Sequence, residues 1–461
     1  MLYYLALGLG AFLSFLMLKW QGRQFYRLAE NSVSLLNTLL SAEEDEEKLA
    51  SMEKQTSRAL VSLLSFIGLL LLALLIMATP ATFYSYFEKG AWSFISISGW
   101  QELLSISIGA SLIFIPLPQS DRSGYSKLSQ LLHRLVLNNY NIGLKLFKRE
   151  AKQQKGIQLK EEFIIVSGLA RAGTTSLMNH LLSMDGFRSL SYANMPFLLS
   201  PNTWQKIYKP KDKSTSERSH KDGIKIGLNS NEALEEHFFK ALAADEFIKE
   251  YHLKEYELSP EEYQAYLSYQ TLVRKQDSDI YLAKNNNFLL RYQSIRKQNP
   301  HFIFVILFRQ PLFHAASLLE KHLLYSDMQR NDPFVEEYMD WLGHHEFGLN
   351  QKASLFANQV APEGDKTHLN YWLKIWINYY QYALNINDEK TLFIQYESFC
   401  AQPQKNLALI LEKGNHAIEA PEIEGFENPR KTEKELGFDA LLMDEALALY
   451  KSLQLKTVLT E

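Results

Sequence analysis

Residues 163–177 read Phe-Ile-Ile-Val-Ser-Gly-Leu-Ala-Arg-Ala-Gly-Thr-Thr-Ser-Leu. Phe163 to Val166 is an apolar run of strand length, rich in β-branched residues. Gly168 and Gly173 then let the backbone curl around an anion. Thr174, Thr175 and Ser176 bring hydroxyls to the start of a helix, whose free N–H groups favour negative charge. The stretch therefore reads as strand, phosphate loop and helix, the opening unit of a parallel α/β sheet.

The loop keeps the glycine spacing of G-x-x-x-x-G-K-[ST] but not its lysine. Thr174 stands in the lysine position, and the cation has moved inside the loop, to Arg171. A kinase or ATPase that needs the loop lysine on the β/γ-phosphates would be crippled. A fold that grips one 5′-phosphate would not.

Downstream, His301 to Phe308 is apolar enough for a strand buried on both faces. It ends at Arg309, followed by Gln310-Pro311 and a helical run carrying Ser317. A planar guanidinium suits paired phosphate oxygens. No metal-binding Asp closes this strand, as it often does in P-loop NTPases. Further on, Thr391 to Ile394 is a short strand leading into Gln-Tyr-Glu-Ser-Phe-Cys-Ala-Gln-Pro, and Tyr371, Trp372 and Trp376 sit on a helix before it.

Taken in order over residues 161–412, these elements resemble the sulfotransferases that use 3′-phosphoadenosine 5′-phosphosulfate (PAPS). Three ordered elements with the right flanks are far more specific than one glycine loop. The resemblance implies an α/β fold with a P-loop-type parallel sheet flanked by helices. It also implies that Gly168, Arg171, Ala172, Gly173, Thr174, Thr175 and Ser176 hold the 5′-phosphosulfate, and Arg309 and Ser317 the 3′-phosphate. The product would be adenosine 3′,5′-bisphosphate. Phe399 replaces the leucine usual in the Tyr-Glu-x-Leu segment. Lys284, opening Lys-Asn-Asn-Asn-Phe, resembles a lysine element near the transferred group but lacks its proline; a surface loop is the plainer alternative. Arg430 and Lys431 stand where some relatives place a late basic loop, in a poorly matching context that favours ordinary surface charge.

Sulfuryl transfer also needs a general base, usually Glu or His. The candidates are His220, Glu235 and Glu236, in segments that look like a bacterial branch of the family; solvated surface residues are the alternative for each. No metal is expected. His345-Glu346 is not a zinc-protease motif, because Leu349 stands where the second histidine would fall. The cluster from Tyr338 to Phe347 reads as helix packing in preference to an acceptor cleft.

The 461 residues leave room for two or three domains. A formal net charge of −4 gives no support to nucleic-acid binding. One cysteine, Cys400, excludes an intrachain disulfide and suits a reducing compartment. Residues 1–120 read as a membrane region with spans at about 2–18, 59–79 and 92–117, the last interrupted by Glu102. The first run has neither a preceding basic residue nor a clear cleavage site, so it reads as a span, not a signal peptide. Residues 121–160 read as a basic amphipathic connector helix, packed on the soluble domain or lying on anionic lipid, and 161–461 as the sulfotransferase-like domain.

Lys19, Arg23 and Arg27 after the first span, and the basic residues after 118, fit three spans with the catalytic domain in the cytoplasm, where PAPS is made. The expected partners are the bilayer and a hydroxyl or amine of a glycan, lipid or lipid-linked acceptor. The expected location is the bacterial inner membrane. The rival readings are a membrane-anchored P-loop nucleotide kinase or NTPase, and a non-catalytic module with a sulfotransferase-like cofactor site.

Overall fold

The computed structural model describes residues 2–40, 45–89, 99–111, 127–208, 216–217, 225–226, 233–386, 388–426 and 437–457. The chain divides into two units, Met1–Asn139 and Tyr140–Glu461.

The first unit holds α1 (Leu2–Trp20), α2 (Gly22–Leu40), α3 (Asp45–Lys89), α4 (Trp100–Ser111) and α5 (Lys127–Leu137). Leu2–Trp20 and Ser51–Glu88 are long and apolar enough to cross a membrane. Small residues let their backbones approach. A Cβ on Gly10 would lie 2.2 Å from the Met77 carbonyl oxygen, and one on Gly109 would lie 2.1 Å from that of Gly8. Tyr4 donates to Gln101 Oε1 at 2.7 Å, and Ser105 Oγ donates to the Tyr4 carbonyl. The helix of the second apolar run does not stop at Pro80 but continues to Lys89. Proline removes one N–H from the ladder, and local Ser/Thr hydroxyls can bond carbonyls near such a site. Here Thr79 Oγ1 donates to the Leu75 carbonyl (2.7 Å) and Thr82 Oγ1 to that of Thr79 (2.9 Å). Of the third apolar segment, 92–98 and 112–117 lie outside the described residues, and Trp100–Ser111 is helical.

The second unit begins with α6 (Tyr140–Gln153), so the connector region contains two helices, one in each unit. There follow β1 (Phe163–Ser167), α7 (Thr174–Leu182), β2 (Phe187–Arg188), α8 (Pro201–Ile207), β3 (Ser216–Glu217), β4 (Lys225–Ile226), α9 (Glu236–Phe247), β5 (His252–Lys254), α10 (Pro260–Val273) and β6 (Ile280–Lys284). The chain continues through α11 (Tyr292–Gln298), β7 (Ile303–Phe308), α12 (Pro311–Asn331), α13 (Pro333–Trp341), β8 (Ala353–Leu355), α14 (Leu369–Leu384), β9 (Thr391–Gln395), α15 (Tyr396–Ala401), α16 (Pro403–Lys413) and α17 (Ala440–Lys456).

Five strands form a parallel sheet in the order β2-β6-β1-β7-β9. The two central strands, Phe-Ile-Ile-Val-Ser and Ile-Phe-Val-Ile-Leu-Phe, are buried along their whole length. Such runs cannot show the alternation of a half-exposed strand, because helices cover both faces. Val166 of β1 lies opposite Lys284 on one side and Val305 on the other. From β1 the chain crosses to β2 at one edge of the sheet; from β7 it crosses to β9 at the other. The connections thus part between β1 and β7, the switch point at whose carboxyl ends open α/β sheets hold their ligands.

Beside the sheet, Arg291 and Glu236 form a buried two-pronged ion pair, with Nη1–Oε2 at 2.6 Å and Nη2–Oε1 at 2.7 Å. The guanidinium also lies 4.0 Å from the centre of the Phe239 ring. Removing one partner strands a charge in a site 1% exposed. Arg291→Leu should cost about 3–5 kcal/mol of stability. Urea unfolding of the full chain in detergent measures the loss, and Glu236→Gln added to Arg291→Leu should recover much of it.

Candidate functional site: a cationic crevice at the end of the sheet

The loop between β1 and α7 is held in an uncommon shape. Gly168 (φ 145°), Arg171 (φ 73°) and Gly173 (φ 100°) all have positive φ. Two of the three are glycine, which adopts such angles without penalty. Space enforces the same choice. A Cβ on Gly168 would lie 2.5 Å from the Leu307 carbonyl oxygen, and one on Gly173 would lie 2.1 Å from the Tyr396 ring. Arg171 bears the conformational cost alone.

The loop's neighbours supply its fixings. His314, on α12, is completely buried, and its Nε2 lies 2.8 Å from the Ala170 carbonyl oxygen. Burial holds this imidazole at about 3, with the Ala170 hydrogen bond opposing and the charges of Arg309 and Arg171 adding to the shift. It is therefore neutral near pH 7, and Nε2–H is the donor. Ser167 Oγ donates to the Asn285 carbonyl at 2.8 Å, and the Asn285 N–H to that of Val166 at 3.0 Å, which ties β1 to the end of β6.

Cations converge on this loop from three elements. Arg171 Nε donates to Ser317 Oγ at 3.3 Å. Lys284, 7% exposed at the end of β6, donates to Thr175 Oγ1 at 2.8 Å. Arg309, 3% exposed just past β7, lies with its guanidinium carbon 5.4 Å from the centre of the Tyr396 ring. Burial pushes the Arg309 pKa down, Glu397 and Tyr396 oppose that, and the like charge of Arg171 lowers it further. Glu397 is itself engaged, accepting from the Gln310 N–H at 3.1 Å and from Tyr450 at 3.3 Å. Two arginines and a lysine gathered at a partly desolvated helix start make a site for an oxyanion. Among the described residues no group of three or more His, Cys, Asp or Glu is placed to hold a metal ion.

The residues singled out from the sequence are thus mostly brought together: Gly168, Arg171, Gly173, Thr174, Thr175, Ser176, Lys284, Arg309 and Ser317 all lie on the elements around the loop. Ala172 is on the loop as well, but its methyl group belongs to the core under α7 and its N–H bonds the Leu169 carbonyl. Thr174 is 3% exposed, whereas Thr175 and Ser176 are half-buried.

The carboxylates behave differently. Glu236 is held by Arg291. Glu235, 2% exposed, accepts from Tyr266 (2.7 Å), Tyr281 (2.6 Å) and Asn285 Nδ2 (2.9 Å). Burial raises its pKa, and those hydrogen bonds oppose the rise. Glu235 thereby braces the residue next to Lys284. His220, Arg430 and Lys431 lie outside the described residues. Sequence reasoning missed His314, although it sits one helical turn before Ser317, a spacing that puts both on one side of α12.

No protein-family model matches the chain, and no curated protein matches it. Solved structures to which the chain is similar include two mycobacterial proteins. Sulfotransferase STF1 from Mycobacterium tuberculosis H37Rv is 13% identical with a TM-score of 0.38, over 73% of this chain and 88% of that one. Sulfotransferase STF9 from Mycobacterium avium is 14% identical with a TM-score of 0.36, over 80% and 86%. Likenesses this low carry no argument, and the reading of the site rests on its own residues.

The neutral imidazole of His314 has a signature in acid. Its folded pKa of about 3 lies below the ordinary 6.5. Its contribution is complete above pH 6.5 and drains away as the pH falls toward 3, by about 1.4 kcal/mol per pH unit. His314→Gln keeps a donor for the Ala170 carbonyl without the titration. Denaturation midpoints of the two proteins between pH 6.5 and 4 should diverge, the wild type losing stability more steeply.

Proposed function

We propose that the chain transfers a sulfuryl group from PAPS to an acceptor hydroxyl or amine. The observation that carries this reading is the pairing of Arg171, bonded to Ser317, with the buried Arg309 around a loop that lacks the Walker lysine. An anion bound at the loop would add to the compensation that Glu397 already gives Arg309. The residues fit a donor with two anionic ends. The curled loop with Thr175 and Lys284 would hold the 5′-phosphosulfate, and Arg309 with Ser317 the 3′-phosphate. When bound, the donor supplies an activated sulfur–oxygen bond to be broken at the loop.

The chain's own part is then positional and electrostatic. Backbone N–H groups at the start of α7 and the Lys284 ammonium stabilise charge growing on the departing phosphate. Glu235 holds Asn285, and so the end of β6 on which Lys284 sits. The helices Leu2–Trp20 and Ser51–Glu88 support a membrane setting by length and composition. The reading extends to an acceptor presented there, a lipid, a glycan or a lipid-linked glycan. It also extends to a catalytic domain on the cytoplasmic side of a bacterial inner membrane.

Thermal unfolding of the full chain in detergent tests the donor. Adenosine 3′,5′-bisphosphate at a hundredfold excess over its Kd should stabilise the protein by about 2.7 kcal/mol. Arg309→Ala should weaken that binding about a hundredfold, since a desolvated charged partner is lost. Stabilisation by ATP with Mg²⁺ and none by the bisphosphate would replace this reading with a nucleotide kinase or NTPase.

A further inference from the structure

Beside the loop lies a small open recess, a cleft of about 30 Å³. Leu169 and Ala170 of the phosphate loop form part of its wall, as does Leu318, the residue after Ser317. Trp372 lines it from α14. The polar part of the wall includes Asn286, Glu346 and Lys352, the last of which donates to the Lys249 and Glu250 carbonyls. Asn286 follows Lys284 by two positions, and its Nδ2 donates to Glu346 Oε1 at 3.2 Å. Among the described residues the buried amide oxygen of Asn286 has no hydrogen-bond partner. The cleft wall therefore includes residues of the phosphate loop, a carboxylate and the residue that bonds it.

The neighbouring ionisable groups differ from Glu346 in one respect. Glu235 and Glu236 are 2% and 1% exposed and held by internal partners, whereas Glu346 is half-buried in the cleft wall. His345, in the same wall, is held by burial at about 4 and hydrogen-bonds through Nδ1 with the Asn350 carbonyl.

Resting on the donor reading above, we propose that this cleft receives the acceptor hydroxyl or amine and that Glu346 is the general base that deprotonates it. Glu346 takes the proton as the acceptor's lone pair closes the new bond to sulfur. The bond between sulfur and the 5′-phosphate oxygen breaks, and its electron pair stays on that oxygen, which the loop and Lys284 hold. Asn286 orients the carboxylate with its N–H and offers its free oxygen to a donor group on the acceptor. The wall mixes apolar side chains such as Leu169, Leu253 and Leu318 with polar ones, which suits an acceptor with both apolar and polar parts.

Two measurements on the full chain in detergent test the assignment. Cys400 is the chain's one native cysteine and is 3% exposed, so Glu346→Cys supplies a selective thiol. PAPS should slow modification of that thiol by a small charged methanethiosulfonate tenfold or more, and ATP with Mg²⁺ should not. With water as the acceptor, Glu346→Gln should release adenosine 3′,5′-bisphosphate from PAPS at least about a hundredfold more slowly than the wild type. It should also bind the bisphosphate with an unchanged Kd, and Glu346→Asp should recover part of the rate. Labelling that PAPS leaves untouched in a protein that binds the bisphosphate overturns the cleft, and a Glu346→Gln rate equal to wild type overturns the base. Failure of the wild type itself to bind the bisphosphate overturns the donor reading instead.

Discussion

The guanidinium groups of Arg171 and Arg309 both lie at the end of a buried parallel sheet, and keeping two cations there, partly answered by Glu397, constrains what surrounds them. Neither is carried by a flexible stem alone. Arg171 sits in a loop whose φ angles are fixed by glycines that have no room for a side chain. Arg309 leaves a strand buried along its whole length and lies over an aromatic ring. Rigid placement of like charges is a cost to the folded protein, and functional sites are where such costs are kept. The rest of the unit supplies the stiffness: helices over both faces of the sheet, His314 on the loop carbonyl, and the Glu235 cage behind β6.

The parts of this arrangement legible in the sequence are those encoded locally. A continuous apolar run marks a strand buried on both faces, and Phe163–Val166 and His301–Phe308 have no other comfortable reading. Glycine at fixed spacing before a hydroxyl-rich helix start marks an anion loop. The expected α/β architecture, with a parallel sheet and this loop at its carboxyl edge, is the one observed. The positions of Arg309 and Ser317 followed because strand end and helix start are themselves local.

What the sequence hid depends on partners distant in the chain. Glu235 and Glu236 are adjacent, yet one answers two tyrosines and an asparagine while the other answers an arginine 55 residues away. Nothing in the string Glu-Ala-Leu-Glu-Glu-His separates those fates. The stretch from Tyr338 to Phe347 was divided in a way that periodicity does not reveal. Trp341 ends α13 and is buried, whereas Glu346, beyond the turn at Gly343, reaches a cleft wall. The partner of that glutamate, Asn286, lies 60 residues away in the chain, so no local motif marks it. Pro80, a residue that breaks helices in water, is carried within α3, where hydroxyls of the same helix bond carbonyls beside it.

Tyr396 has a double position. Its ring fills the space a side chain at 173 would need, and the same ring is the surface over which Arg309 lies. Volume at positions 173 and 396 is therefore a shared quantity. A lineage that let 173 grow would have to shrink 396, and would then leave the arginine without its aromatic support. The two ends of the site are coupled by packing alone, so drift at either is confined to changes the other can absorb. The glycine of the loop and the tyrosine that opens α15, more than 200 residues apart, should behave in evolution as a single unit.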